Sequence, residues 1–355
     1  MLHEPFYDPN KTYEENFKEG PFGAFADGVV IENSSKKTYD FLGFKVNSPF
    51  GIANGPLING NFVKAALDKG FDIVEYKDTR AHMHPCHPLP NIAPLEVVGD
   101  MTLELASKGV KIAKSFTEPL STTNSFGIPS MDPSFWQADL RDSISYAKKG
   151  QIVVGGIQGT LPKVGGFELY LKDFILIAKL MKETEVKIIE LNLACPNEGI
   201  NNLLCLDVER SKIVVEAVRN EIGDTPIIIK ISYFPDTEHL RKFVEAVAPM
   251  VQAISAINTM PAKIIDDEGK PALTGGRVTS GTCGSPIKWA GLEMTKKLKK
   301  FREEFGYRYT IIGVGGVTNA DDFFEYRNAG ADIVMSAIGA MWNPYLAKEI
   351  KERLR

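Results

Sequence analysis

From residue 50 onward the chain alternates short apolar runs with longer stretches of helical periodicity, and it does so eight times. The runs are FGIAN at 50–54, DIVEYK at 72–77, QIVVGGI at 151–157, KIIELNL at 187–193, PIIIKIS at 226–232, QAISAIN at 252–258, YTIIGV at 309–314 and ADIVMSA at 331–337. Short continuous runs rich in Val and Ile fit strands covered on both faces, and the segments between them fit crossover helices. That order marks a parallel sheet. An open doubly wound sheet needs a reversal of strand order that nothing in the chain signals, whereas eight repeated units close into a (β/α)8 TIM barrel. The expectation is an α/β fold in which residues 50–355 form one barrel.

Two connections are far longer than simple barrel loops: residues 78–150 after the second strand and 259–308 after the sixth. Long loops in compact domains are commonly functional, and both leave the C-terminal ends of strands, where barrels carry their active sites. Residues 1–49 stand outside the repeat. The first 28 are rich in Pro, Gly, Asn and charge and read as an irregular arm. VVIENSSKKTYDFLGFKV, at 29–46, reads as a β-hairpin of two apolar runs separated by polar turn residues, capping one end of the barrel.

Composition narrows the function classes. A net charge of −4 argues against nucleic acid as the main partner. Four cysteines are too few for a disulfide scaffold in 355 residues and fit a reducing cytoplasm. The first residues lack the apolar run of a signal peptide, and no segment approaches the roughly 20 apolar residues that span a bilayer.

The richest segment is Glu190-Leu-Asn-Leu-Ala-Cys195-Pro-Asn197, a buried strand running straight into a Cys-Pro turn between Asn192 and Asn197. A thiol there is either a buried structural cysteine or a base that takes a proton from carbon. Asn124 stands in TTNSFGIPS, and Asn258 with Thr259 follows another strand. Asparagines that end apolar strands converge on a planar polar ligand more naturally than they form turns. Lys77 and Lys230 sit in apolar strands, where an ammonium is costly unless it meets an anion or a polar ligand. Gly313-Val-Gly315-Gly316-Val317, after the seventh strand and before a helix, fits a phosphate site. No G-x-G-x-x-G follows a first βαβ strand, so FMN, with one phosphate, fits better than NAD. His82, His84, Cys86 and His87 gather metal-ligand side chains, but their spacing matches no zinc pattern and no metal is assigned.

On these residues the chain resembles the class 1, soluble dihydroorotate dehydrogenases, collinearly over about residues 45–350. ELNLACPN is similar to the family's NLSCPN motif, whose cysteine is the catalytic base; class 2 enzymes carry serine there. The resemblance implies that Cys195 is the base and that Asn124, Asn192, Asn197 and Asn258, with Thr259 and the Phe126, Gly127 and Ile128 of NSFGIP, hold the pyrimidine. It implies that Lys77 touches flavin and substrate, that Lys230 lies at the flavin's pyrimidine edge, and that Ala53, Asn54, Asn192, Gly284, Ala337 and Ile338 lie against FMN. Gly315 and Gly316 fall at its phosphate.

Several features depart from the family. The insertion between HPLPN and TTNSFG is long, Asn91 replaces the arginine of the dimeric class 1A enzymes, and Ala337-Ile338 replaces a Gly-Thr pair. The implied reaction is oxidation of dihydroorotate to orotate in pyrimidine synthesis. The acceptor is fumarate, a quinone or a partner electron-transfer subunit, and the assembly a homodimer. Rival readings are a dihydropyrimidine dehydrogenase-like enzyme with Cys205 as acid–base group, a tRNA dihydrouridine synthase, which the acidic composition disfavours, and a non-catalytic barrel binding a phosphorylated ligand.

Overall fold

A computed structural model describes residues 2–32, 37–162, 164–194 and 203–355. The eight strands are β1 (Phe50–Ile52), β2 (Ile73–Thr79), β3 (Ile152–Ile157), β4 (Ile189–Asn192), β5 (Ile227–Ile231), β6 (Ala253–Ala256), β7 (Thr310–Val314) and β8 (Ile333–Ser336). They close into a parallel barrel in sequence order, with β8 paired to β1 through Val334 opposite Phe50 and Ser336 opposite Ile52. All eight expected strands are present, within a few residues of their expected bounds.

A helix follows each strand: Gly60–Asp68, Pro133–Tyr146, Gly166–Lys182, Val208–Ile222, Thr237–Val247, Lys288–Phe305, Ala320–Ala329 and Leu346–Arg353. Asn59, Asp132, Asp207, Asp236 and Asn319 cap five of them by accepting backbone N–H groups that have no carbonyl partner, each cap worth about 1 kcal/mol. The inward faces keep helical spacing: Thr237–Val247 buries Leu240, Phe243, Val244 and Val247. No helix among the described residues is long and apolar enough to cross a membrane.

The hairpin differs from its expected form. It is a tight pair, Tyr39–Phe41 with Phe44–Val46, turning at Leu42 (φ 53°) and Gly43 (φ 90°). Two successive positive φ values make the primed turn that matches strand twist, and glycine supplies one without strain. The polar run chosen as the turn lies upstream, with 33–36 outside the described residues. Val29 and Val30 are exposed and belong to no strand. Phe41 and Val46 pack with Ile73, Ile152, Ile188, Ile228 and Ile333, so the hairpin plugs the barrel's N-terminal mouth.

The arm is also more ordered than its composition suggests. Thr12 and Glu15 form a capping box that starts the helix Tyr13–Glu19, a T-x-x-E signal legible in the sequence. Phe6, Tyr7, Tyr13 and Phe25 are buried in the main core. Phe6 meets Phe25 edge-on at 4.6 Å and Phe62 at 5.7 Å, and its N–H donates to the Met341 carbonyl at 3.1 Å.

The two long insertions meet each other. Val110–Lys111, Met260–Ile265, Thr279–Gly284 and Ser121–Asn124 form, in that order, one four-stranded sheet. Thr279–Gly284 runs antiparallel to both neighbours, with Gly281 opposite Asn124 and Thr282 opposite Met260.

Because Phe6 is a core residue rather than a surface decoration, Phe6→Ala should cost about 3–5 kcal/mol, read as a lower urea midpoint at unchanged slope. A loss below about 1 kcal/mol would mean that the arm is not part of the cooperative core.

Candidate active site

The C-terminal rim of the barrel and the inserted sheet line a cleft. Each wall comes from a different strand end. Ala53 and Asn54 follow β1, Lys230 lies in β5, Asn258 and Thr259 follow β6, Gly315 and Gly316 follow β7, and Ala337 and Ile338 follow β8. Asn124, Phe126 and Gly284 complete the cleft from the inserted sheet and its following loop.

Lys77, Gly127, Ile128 and Asn192 lie just behind this wall. The Lys77 ammonium sits 5.6 Å over the Phe126 ring. Gly127 and Ile128 form a turn whose carbonyls accept from the buried Arg80 guanidinium. Asn192 donates through Nδ2 to Asp78 at 2.8 Å, while its Oδ1 accepts the Ala194 N–H at 3.0 Å and the Asn258 amide at 3.3 Å. Asn258 also donates to the Ala194 carbonyl at 3.1 Å. The residue before Cys195 is thereby tied to the cleft wall from two sides. Cys195 and Asn197 lie outside the described residues.

The histidine-rich segment supports the substrate-side loop. His84 exchanges backbone hydrogen bonds with Ser130, and the Cys86 thiol and the His87 N–H both donate to the Phe126 carbonyl. Asn91 is buried and donates to the carbonyls of His87 and Ser125. Among the described residues no three His, Cys, Asp or Glu side chains gather closely enough to hold a metal.

A charged cluster lies under the cleft. Lys230, 3 % exposed, is 3.3 Å from Glu190, 3.6 Å from Glu75 and 3.4 Å from the Asn54 side-chain Oδ1, to which it donates. Burial pulls the Lys230 ammonium down, but Glu190, Glu75 and Asp78 outweigh it and leave its pKa raised. The sequence reading noticed the lysine and passed over Glu75 and Glu190. The same signal marked them, since each is a carboxylate inside an apolar strand, IVEYK and IIELNL.

The cleft suits a flavin mononucleotide. Gly315 and Gly316 have φ of 119° and 72°, and a Cβ on Gly316 would lie 2.8 Å from the Lys288 backbone nitrogen. The Gly315 and Val317 carbonyls are held by the hydroxyls of Tyr326 and Ser336, both at 2.6 Å. That leaves the amide edge of the turn for an anion such as a phosphate. Thr259 brings a buried hydroxyl with no partner to the same cleft, an atom a polar ring edge would satisfy.

The profile of the dihydroorotate dehydrogenase family matches residues 37–355. The chain belongs to that family. It is 36% identical over 365 residues to the dihydroorotate dehydrogenase of Dictyostelium discoideum, covering 98% of this chain and 96% of that one. It is 24% identical to a dihydroorotate dehydrogenase B (NAD(+)) catalytic subunit of Brachyspira hyodysenteriae, over 69% of this chain and 74% of that protein. The solved Eimeria tenella dihydroorotate dehydrogenase, in complex with ferulenol, shares the fold with a TM-score of 0.71 at 15% identity, over 92% of this chain and 86% of that one. Enzymes of the family carry FMN.

Gly316→Asp forces a side chain against the Lys288 backbone and puts a negative charge on the turn that would hold the phosphate. The variant should purify without flavin absorbance while keeping its far-ultraviolet circular dichroism. Retention of FMN at wild-type stoichiometry would place the phosphate elsewhere.

Proposed function

We propose that this chain is a class 1 enzyme that oxidises dihydroorotate to orotate, with Cys195 as the base. Family membership carries the reaction. The assignment of the base rests on the resemblance of ELNLACPN to the family motif, supported by the holding of Ala194, the residue before Cys195, at the cleft wall by Asn192 and Asn258. When bound, FMN supplies the acceptor for the hydride that leaves C6. Gly315 and Gly316 hold its phosphate, and Ala53, Gly284, Ala337 and Ile338 line its walls.

The protein's own share is orientation and one proton. In this reading Asn124, Asn197 and Thr259 meet the pyrimidine's polar edges, while Asn258 and Asn192 hold Ala194 at the cleft wall; fixing the ring in this way removes much of the entropy of alignment. The Cys195 Sγ takes the proton from C5, which the neighbouring C4 carbonyl makes acidic. Phe126 covers the substrate side, held by Lys77 and by the edges of Tyr7 and Tyr13 at 5.3 and 6.2 Å. Lys230, which lines the cleft, would offset negative charge on a bound reduced flavin.

The rival base, Cys205, is fully buried, its N–H bonded to the Leu193 carbonyl, and burial pushes its thiol up to about 12. A thiol held there does not supply a thiolate at neutral pH. We place the enzyme in the cytoplasm as a homodimer that passes electrons to fumarate or to a partner electron-transfer subunit.

Cys195→Ala should keep FMN and orotate binding but slow anaerobic flavin reduction by dihydroorotate by about 10²- to 10⁴-fold. Cys205→Ala should reduce at the wild-type rate. Stopped-flow traces in which the two variants exchange these behaviours would transfer the base to Cys205.

A further inference from the structure

Glu75 and Glu190 are each 0 % exposed, and they face one another across the end of the barrel interior. Each has one oxygen engaged. Glu75 Oε2 accepts the Asn54 N–H at 2.8 Å, and Glu190 Oε1 accepts the Asn54 amide at 2.7 Å; Lys230 approaches these same two oxygens. The other oxygens, Glu75 Oε1 and Glu190 Oε2, are buried with no donor. An ionised carboxylate only accepts, so two ionised groups would leave both atoms unsatisfied in a dry interior and would repel each other. A single proton between them removes both faults.

The surrounding charges agree. From β2 come Glu75, Lys77 and Asp78, from β4 Glu190, and from β5 Lys230. Asp78 is supplied with donors of its own, the Asn54 amide at 2.6 Å on one oxygen and the Asn192 amide at 2.8 Å on the other. Glu190 lies within hydrogen-bonding range of Glu75; burial first and Glu75 next lift its carboxyl well above the usual range, against the pull of Lys230.

We propose that Glu75 and Glu190 share one proton at neutral pH and act as a single monoanion that balances Lys230 beneath the flavin. Lys230 and the pair are then neutral together, and the lysine's effect on the flavin is set by one negative charge rather than two. Both glutamates are positioning residues. The proton stays in the pair during turnover, so the C5 proton still goes to Cys195 and the hydride to the flavin. The inference rests on the FMN reading for its consequence, not for the pair itself.

A charge shared by two groups gives a non-additive mutant cycle. In Glu75→Gln or Glu190→Gln the remaining glutamate ionises, the amide replaces the shared proton, and the net charge is unchanged. The flavin midpoint potential of either single variant should stay at the wild-type value. The double variant loses the negative charge, and its equilibrium should move at least tenfold toward reduced flavin, about 30 mV for a two-electron couple. Equal, additive shifts from the two single variants, or a double variant at the wild-type potential, overturn the proposal. Infrared spectra of the wild-type protein at pH 8 test the pair without any flavin. A protonated-carboxyl carbonyl band that shifts on deuteration should be present, and absent from either single variant; its absence from the wild type overturns the proposal even where the variants fail to fold.

Discussion

Pairing of the last barrel strand with the first is the constraint on which the rest of the molecule depends. Once Ile333–Ser336 runs beside Phe50–Ile52, eight parallel strands present their C-terminal ends on one rim. Residues from opposite ends of the sequence then share a wall: Ala53 N–H donates to the Ser336 carbonyl, and Ala337 lines the same cleft as Asn54. Register does the finer positioning. Asn192 lies opposite Lys230 across β4 and β5, so an amide and an ammonium from apolar strands arrive side by side.

That placement makes electrostatics the governing force at the site. The barrel interior below the rim is filled by Ile, Val, Met and the hairpin's Phe41, which keeps water from the buried charges. In such surroundings an ion without partners is very costly. The cluster meets this by mutual satisfaction, with Asn54 supplying three donors, one each to Glu75, Asp78 and Glu190. Asn54 thus organises the floor of the cleft as well as lining it.

The barrel was legible because its strands are buried on both faces and leave unbroken apolar runs. The cleft's lysines and strand-end asparagines were legible because polar groups there contradict their surroundings. The cover was not. Ser121–Asn124 is STTN and Thr279–Gly284 is TSGTCG, with neither alternation nor an apolar run, and they pair across more than 150 residues. Such strands are specified by their partners, which local pattern does not reveal. The tight hairpin was hidden because a polar stretch nearby looked like the better turn, while Leu42-Gly43 is short and half apolar. Glu75 and Glu190 carry the same contradiction as the lysines, each a charged group inside an apolar strand, but only closure of the barrel shows that the two carboxylates meet one ammonium.

The docking of the arm carries a consequence for how the protein is made. The Phe6 N–H bonds to the Met341 carbonyl, yet Phe6 leaves the ribosome more than 300 residues before Met341. At roughly 5–20 residues per second, the arm waits on the order of tens of seconds for its seat to be synthesised. During that interval Phe6, Tyr7, Tyr13 and Phe25 have only the early part of their core, Phe62 and Phe126 among it, to pack against. The nascent chain therefore carries an incompletely covered aromatic segment until Met341 has emerged. The arm's full seating waits for the segment that follows the last barrel strand.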